Sequence, residues 1–207
     1  MTAHRLVIGT TNLKKGREMQ ELLAPYGFEV QTLRETGRPV LDVVEDGDTF
    51  AYNARKKAAE QAVYLGAWVM ADDSGLAVDA LGSRPGVYSA RYAGENATDA
   101  DNNAKLLAEL GALPLAKRTA HYVCHVAVAD PRGEIRAESD DICRGRIVFE
   151  PAGMNGFGYD PLFEVVEYHQ TFGQLGPLVK SAISHRARAL RSVVPKLLAL
   201  AGSGAWD

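Results

Sequence analysis

Short apolar runs alternate with helical repeats along the first half of the 207-residue chain. "RLVIGT" (Arg5–Thr10) has the continuous apolar character of a buried strand, and the pattern turns helical from about Lys15 to Pro25. Phe28–Leu33 alternates enough for a second strand. Arg34–Gly47 is polar and broken by Gly37, Pro39 and Gly47, which predicts a loop that includes Glu45. Asp48 or Thr49 then caps a helix in which Phe50, Ala54, Ala58, Ala62 and Leu65 recur at helical spacing. Ala67–Ala71 is a further apolar strand, and Asp72 and Asp73 leave its end in "DDSGL".

The second half follows a different rhythm. Leu76–Asn96 is Gly-rich and irregular apart from a helical turn at Val78–Leu81. Thr98 caps a helix over Asp99–Leu110, with Ala104, Leu107 and Leu110 as its apolar face. His121–Ala129 is rich in β-branched residues, "DPRGE" turns it into a hairpin with Ile135–Cys143, and Gly145–Glu150 reads as another strand. "PAGMNGFGYDPLF" is a glycine-dense loop. A last helix starts near Ser184 and passes Leu190, Val193, Leu197 and Leu198, with Pro195 expected to kink or interrupt it. Interleaved strands and helices followed by a hairpin predict an α/β fold with a mixed sheet. With no repeat or linker in sight, residues 1–207 read as a single domain.

Composition narrows the function classes. Hydrophobic residues make up 46% and charged residues 24%, as in soluble globular proteins. A formal net charge of −3 gives no general pull toward a nucleic acid polymer, so any anion site must be built locally. No apolar run approaches the roughly 20 residues that span a bilayer, and "MTAHRLVIGTTN" lacks the apolar core of a signal peptide. Cys124 and Cys143 have no CxxC spacing, so neither a disulfide framework nor a zinc site is indicated and a cytoplasmic location is expected.

Against that background, Lys14, Lys15 and Arg17 are out of place, because helix starts favour carboxylates. A phosphate there would take up orphan N–H groups and neutralise the cations; otherwise the lysines are solvated and Asn12 caps the helix. If Ser184 caps the last helix, His185, Arg186 and Arg188 repeat the arrangement, which points to a multiply charged anionic ligand. Asp72 and Asp73 point to opposite faces if extended. They are Mg²⁺ ligand types, or else parts of an Asp-Ser-Gly turn. Glu45 is either a second carboxylate for such a site or solvated charge in "EDGD". In "NGFGYDPLF", Gly156 and Gly158 allow close backbone approach, and Phe157 or Tyr159 can stack on a planar ring or serve the core.

Five stretches, "TTNLKK", "EDGDTFAYNARKKA", "ADDSGLAVDALGSRPGVYSARYAG", "GFGYDPLF" and "KSAISHRARAL", together resemble the inosine triphosphate pyrophosphatase (Ham1-like) family, in that family's order from Thr10 to Leu190. The resemblance implies an elongated mixed β-sheet flanked by helices, two lobes with a central nucleotide cleft, and a homodimer. It also implies Mg²⁺-dependent hydrolysis of ITP, dITP and XTP to the monophosphate and pyrophosphate. Matched by position, Thr10, Thr11, Asn12, Leu13, Lys14 and Lys15 form the phosphate loop, and Glu45 and Asp73 are the metal carboxylates. Asp73 is also the proton acceptor, with Asp72 beside it and Ser74 in contact with substrate. Phe157, Gly158, Tyr159, Asp160, Lys180, His185 and Arg186 match base- and substrate-binding positions; Phe157 would stack on the purine, and His185 and Arg186 would read its 6-keto edge. Thr11 and Lys14 stand where that family's loop usually has glycines, which permit positive φ or a close phosphate. Two other readings share these residues: a pyrophosphatase for modified pyrimidine triphosphates, and a nucleotide-binding protein without turnover.

Overall fold

Backbone pairing in the computed structural model, which describes residues 4–206, produces one mixed seven-stranded sheet. Met1–Ala3, part of the amino-terminal stretch read above, and Asp207 lie outside the described residues. The elements are β1 (Arg5–Ile8), α1 (Leu13–Leu23), β2 (Glu29–Thr32), α2 (Phe50–Leu65), β3 (Val69–Val78) and α3 (Asp99–Leu110). They continue with β4 (Thr119–Ala129), β5 (Ile135–Ile147), β6 (Phe163–Val165), β7 (Gln170–Thr171), α4 (Pro177–Ile183) and α5 (His185–Gly202). Strand order is β2-β1-β3-β4-β5-β6-β7. β1 pairs in parallel with β2 and β3, whereas β6 pairs antiparallel with β5 and β7.

The described residues form two compact units. Unit 1 comprises residues 1–73, 124–141 and 186–207, and unit 2 comprises residues 74–123 and 142–185. In unit 1 the sheet is covered on both faces. Leu6, Ile8, Trp68 and Met70 pack with Met19 and Leu23 of α1 and with Ala189, Leu190, Val193 and Leu197 of α5. The alternate residues Val7, Val69 and Ala71 pack with Ala54, Ala58 and Ala62 of α2. Alanines at that spacing let α2 lie close to the strands. Thr49 caps the helix by accepting from the Tyr52 N–H, and Gly66 ends it with φ +63. Unit 2 has its own core, in which Leu76 and Val78 of β3 meet Leu106 and Leu110 of α3, Tyr122, Phe163 and Phe172.

Several expectations are corrected. β3 does not end before "DDSGL"; it runs through Asp72 and Asp73 to Val78, because each carboxylate finds buried partners instead of closing a turn. The strand expected at Gly145–Glu150 is absorbed into β5 as far as Ile147. The buried stripe of α3 is Asn102, Leu106 and Leu110, with Ala104 exposed, so the face is rotated from the one read in the sequence. Ser184 is extended (φ −66, ψ 155) and separates two helices, of which α4 was not anticipated. α5 continues through Pro195, which lies on its exposed side, where a missing backbone donor costs least.

Candidate active site

Side chains alternate along a strand, so Asp72 and Asp73 enter different environments within unit 1. Asp72 lies on the side of α1 and α5. Its Oδ2 is 3.2 Å from Arg186 Nε and 3.5 Å from Lys15 Nζ. Arg186 Nη1 donates to Glu18 Oε2 at 2.7 Å, so two carboxylates hold one buried guanidinium. Burial alone would weaken that positive charge; Asp72 and Glu18 outweigh it and hold the Arg186 pKa above its ordinary value. The Cys124 thiol, 3.9 Å from Asp72 Oδ2, is pushed well up by burial and by that carboxylate, which leaves it unreactive.

Asp73 lies on the α2 side. Its Oδ2 accepts from Asn53 Nδ2 at 3.0 Å, and its Oδ1 is 3.5 Å from Lys57 Nζ. The same ammonium is 3.0 Å from Glu45 Oε1. Asn53 and Lys57 are one helical turn apart and reach down the same face of α2. Asn53 also exchanges hydrogen bonds with the backbone of Gly47, at 2.9 and 3.3 Å, which fixes the loop that carries Glu45. Gly47 has to be glycine, since a Cβ there would lie 2.2 Å from the Tyr52 ring. Burial raises the Asp73 carboxyl above the usual carboxylate range, despite the opposing pull of Lys57 and Lys15. Lys57 is held above its ordinary value by Asp73 and Glu45, against the effect of its burial.

At the start of α1, Asn12 Oδ1 accepts from the Lys14 and Lys15 N–H groups at 3.0 and 3.2 Å, and Thr10 Oγ1 accepts from the Asn12 N–H at 3.3 Å. Asn12 is therefore the helix cap, and two of the backbone donors expected to meet a phosphate are already taken. Leu13 and Lys14 are exposed on the first turn. Among the described residues, the only non-glycine positions with positive φ are Ser83 and His169. Thr11 and Lys14 thus fit the loop in ordinary backbone conformations, without the freedom of a glycine.

The remaining predicted residues gather in unit 2, apart from Arg186. Ser74 follows Asp73 on β3 and is half-buried. Asp160 Oδ2 accepts from Lys180 Nζ at 2.7 Å and from the Phe157 N–H at 2.8 Å, and Oδ1 is 3.3 Å from the Tyr122 hydroxyl. Lys180 Nζ lies 4.5 Å from the centroid of the half-buried Phe157 ring. His185 stacks on Tyr122 with centroids 4.6 Å apart and planes 10° from parallel. Tyr159 is not a stacking surface: it is buried, and its hydroxyl donates to the Ser89 carbonyl at 2.8 Å. Gly158 is tied to α3, its N–H to Asp99 and its carbonyl to Asn103.

Four contributors were not singled out in the sequence: Asn53, Lys57, Glu18 and Tyr122. Asn53, Lys57 and Gln61 recur at i, i+4 and i+8 beside the alanine stripe of α2, and that polar seam was the available signal. No cluster of three or more His, Cys, Asp or Glu side chains suited to a metal exists among the described residues. Glu45 and Asp73 converge on a single ammonium and present hard carboxylate oxygens, which suits Mg²⁺ completed by water and phosphate oxygens rather than an all-protein cage.

Comparison with known proteins finds relatives along nearly the whole chain. A dITP/XTP pyrophosphatase of Rhodopirellula baltica is 52% identical over 198 residues, spanning 96% of this chain and 95% of that protein. A dITP/XTP pyrophosphatase of Nostoc sp. is 47% identical over 200 residues, with 97% of both chains covered. A HAM1 protein structure from Coxiella burnetii superposes with a TM-score of 0.84 at 40% identity, over 94% of this chain and 98% of that one. The Staphylococcus aureus Ham1 protein gives 0.82 at 38% identity, with the same coverage. The Ham1 family model itself matches residues 6–196. On sequence and on fold, the chain belongs to the Ham1 family.

Proposed function

We propose that this chain hydrolyses the non-standard purine nucleoside triphosphates ITP, dITP and XTP to the monophosphate and pyrophosphate. The observation that carries the reading is Asp73: a buried carboxylate with a raised pKa, oriented by Asn53 and faced by Lys57 and Glu45. The pyrophosphatase names of relatives about half identical along nearly the whole chain support it. A water oxygen attacks the α-phosphorus, its proton passes to the Asp73 carboxylate, and the bond to the β-phosphate breaks with pyrophosphate leaving. Lys15 and Lys57 offset phosphate charge, and positioning matters more than base strength when the transition state is loose. Glu45 and Asp73 would hold Mg²⁺, whose chemistry there is neutralisation of phosphate charge.

Purine choice belongs to Phe157, His185 and Arg186 in this reading. Phe157 offers a ring face to the base, and His185 and Arg186 are the donors assigned to the 6-keto oxygen. A 6-amino group would meet those donors with another donor, a mismatch that discriminates strongly. Pairing of two copies is part of the same reading and is checked by light scattering. A reducing cytoplasm is in keeping with two buried cysteines outside any disulfide.

The test is pyrophosphate release from ITP, XTP, ATP, GTP and modified pyrimidine triphosphates with Mg²⁺ present. ITP and XTP are expected to lead, and Asp73→Asn to lower kcat by about 10²–10⁴-fold. Equal rates on ATP overturn the purine reading, faster pyrimidine hydrolysis favours the pyrimidine enzyme, and nucleotide binding without turnover reduces the chain to a binding protein.

A further inference from the structure

Lys57 stands between the two carboxylates that the proposed function gives to the metal, with Nζ 3.0 Å from Glu45 Oε1 and 3.5 Å from Asp73 Oδ1. Its side chain is only 10% exposed, so carboxylates rather than bulk water solvate most of its charge. Asn53 engages the other oxygen of Asp73 and also ties down Gly47, which leaves Asp73 Oδ1 and Glu45 turned toward the same point. Two such carboxylates, each within reach of one ammonium, repel each other unless a cation stands between them.

We propose that Lys57 is a resident stand-in for the divalent cation: it holds Glu45 and Asp73 together at ligand spacing and competes with the metal for them. The inference rests on the assignment of Mg²⁺ to these carboxylates. A compact ammonium on a flexible four-carbon stem suits the role, because it can move aside without disturbing the helix that carries it. A divalent ion entering while that ammonium still sits between the carboxylates meets strong repulsion in a poorly solvated site. Metal alone is therefore held weakly, while metal arriving with an anionic triphosphate is not penalised, because the phosphates supply Lys57 with new acceptors. Lys57 is thus a positioning residue that delays metal loading until substrate is present.

The measurement is calorimetric titration with Mn²⁺ alone, without nucleotide, on the full chain as wild type, Lys57→Met and Lys57→Arg. Lys57→Met is expected to bind Mn²⁺ at least about tenfold more tightly than wild type, because the competing charge is gone. Lys57→Arg keeps the charge and is expected to bind as weakly as wild type, which a mere packing role would not predict. The melting temperature of metal-free Lys57→Met should fall, and Mn²⁺ should raise it by more than it raises that of wild type. Unchanged or weaker Mn²⁺ binding in Lys57→Met overturns the inference. If Lys57→Met does not fold, the shorter neutral Lys57→Gln carries the same expectation and the same failure. Adding Asp73→Asn to Lys57→Met must abolish the tight binding; Mn²⁺ affinity that survives it overturns the metal assignment itself, a separate result from the failure of the stand-in role.

Discussion

A methyl group at Gly156 would lie 2.0 Å from Asp160 Oδ2, on a backbone held at φ +76. The clash falls on the carboxylate that organises Lys180 and the Phe157 N–H, so this glycine is part of the loop's working shape. Gly156→Ala should lower stability by about 1–3 kcal/mol in urea titration. It should also raise KM for ITP if the loop recognises the base. The cysteines lead to a simpler expectation. Both thiols are buried and outside any disulfide, and that of Cys124 has its pKa raised, so neither should react with Ellman's reagent until the chain unfolds. Residue type alone left Asp73 open to a turn and Glu45 to solvated charge, and the roles given to them and to Lys15 came from the family resemblance. Asn53 and Lys57 were not singled out at all, because a lysine in the middle of a helix usually belongs to a solvated face and only the packed helix shows that this one is inside.

At the level of elements, α2 matters most, since it carries Asn53 and Lys57 on one side and Arg55 on another. Arg55 forms a two-pronged ion pair with Glu138 of β5, and His125 Nε2 lies 3.1 Å from the same carboxylate. Lys196 of α5 donates to the Glu138 backbone carbonyl at 2.5 Å, so three elements are anchored around one residue of β5. The hydrogen bond from Arg55 is the main influence that lowers the Glu138 pKa below 4.5 in the folded chain. A carboxyl whose folded pKa is depressed stabilises the fold above its unfolded pKa and loses that contribution as pH falls through the folded value. Glu138→Gln should therefore melt below wild type at neutral pH, and the gap should close as the pH drops below about 4.5, followed by circular dichroism. Elements with strong periodicity and caps were readable: the helix predicted over Asp99–Leu110 runs over those very residues, with Thr98 and Asp101 forming its capping box. β3 was cut short because Asp-Asp-Ser-Gly has the composition of a turn, and composition says nothing about buried lysines and an arginine waiting on either side. α4 has only seven residues, too few for a helical period to register.

On the scale of the whole molecule, the mixed α/β sheet with flanking helices was legible, whereas two lobes were implied by the family resemblance alone and no boundary between units could be read. β3, β4 and β5 each begin in one unit and end in the other, so no change of composition marks a boundary. The carboxyl-terminal end is fastened to unit 1 by Trp206, whose ring stacks on Trp68 with centroids 4.2 Å apart and whose Nε1 donates to the Arg5 carbonyl at 3.1 Å. Trp206→Ala should lower the melting temperature by several degrees and remove a stacked-tryptophan signal in near-ultraviolet circular dichroism.

Unit 1 draws on segments at both ends of the chain, and α5 is translated after every other helix and strand. Glu18 and Asp72 therefore leave the ribosome long before Arg186, the guanidinium that they share in the finished protein. Until that residue emerges, the half-built unit has Lys15 beside Asp72 but lacks the buried guanidinium that Asp72 and Glu18 share, so taking both carboxylates out of water is costly. A nascent chain halted before α5 should accordingly stay open and protease-sensitive around α1 and β3, and close only when synthesis reaches the last helix.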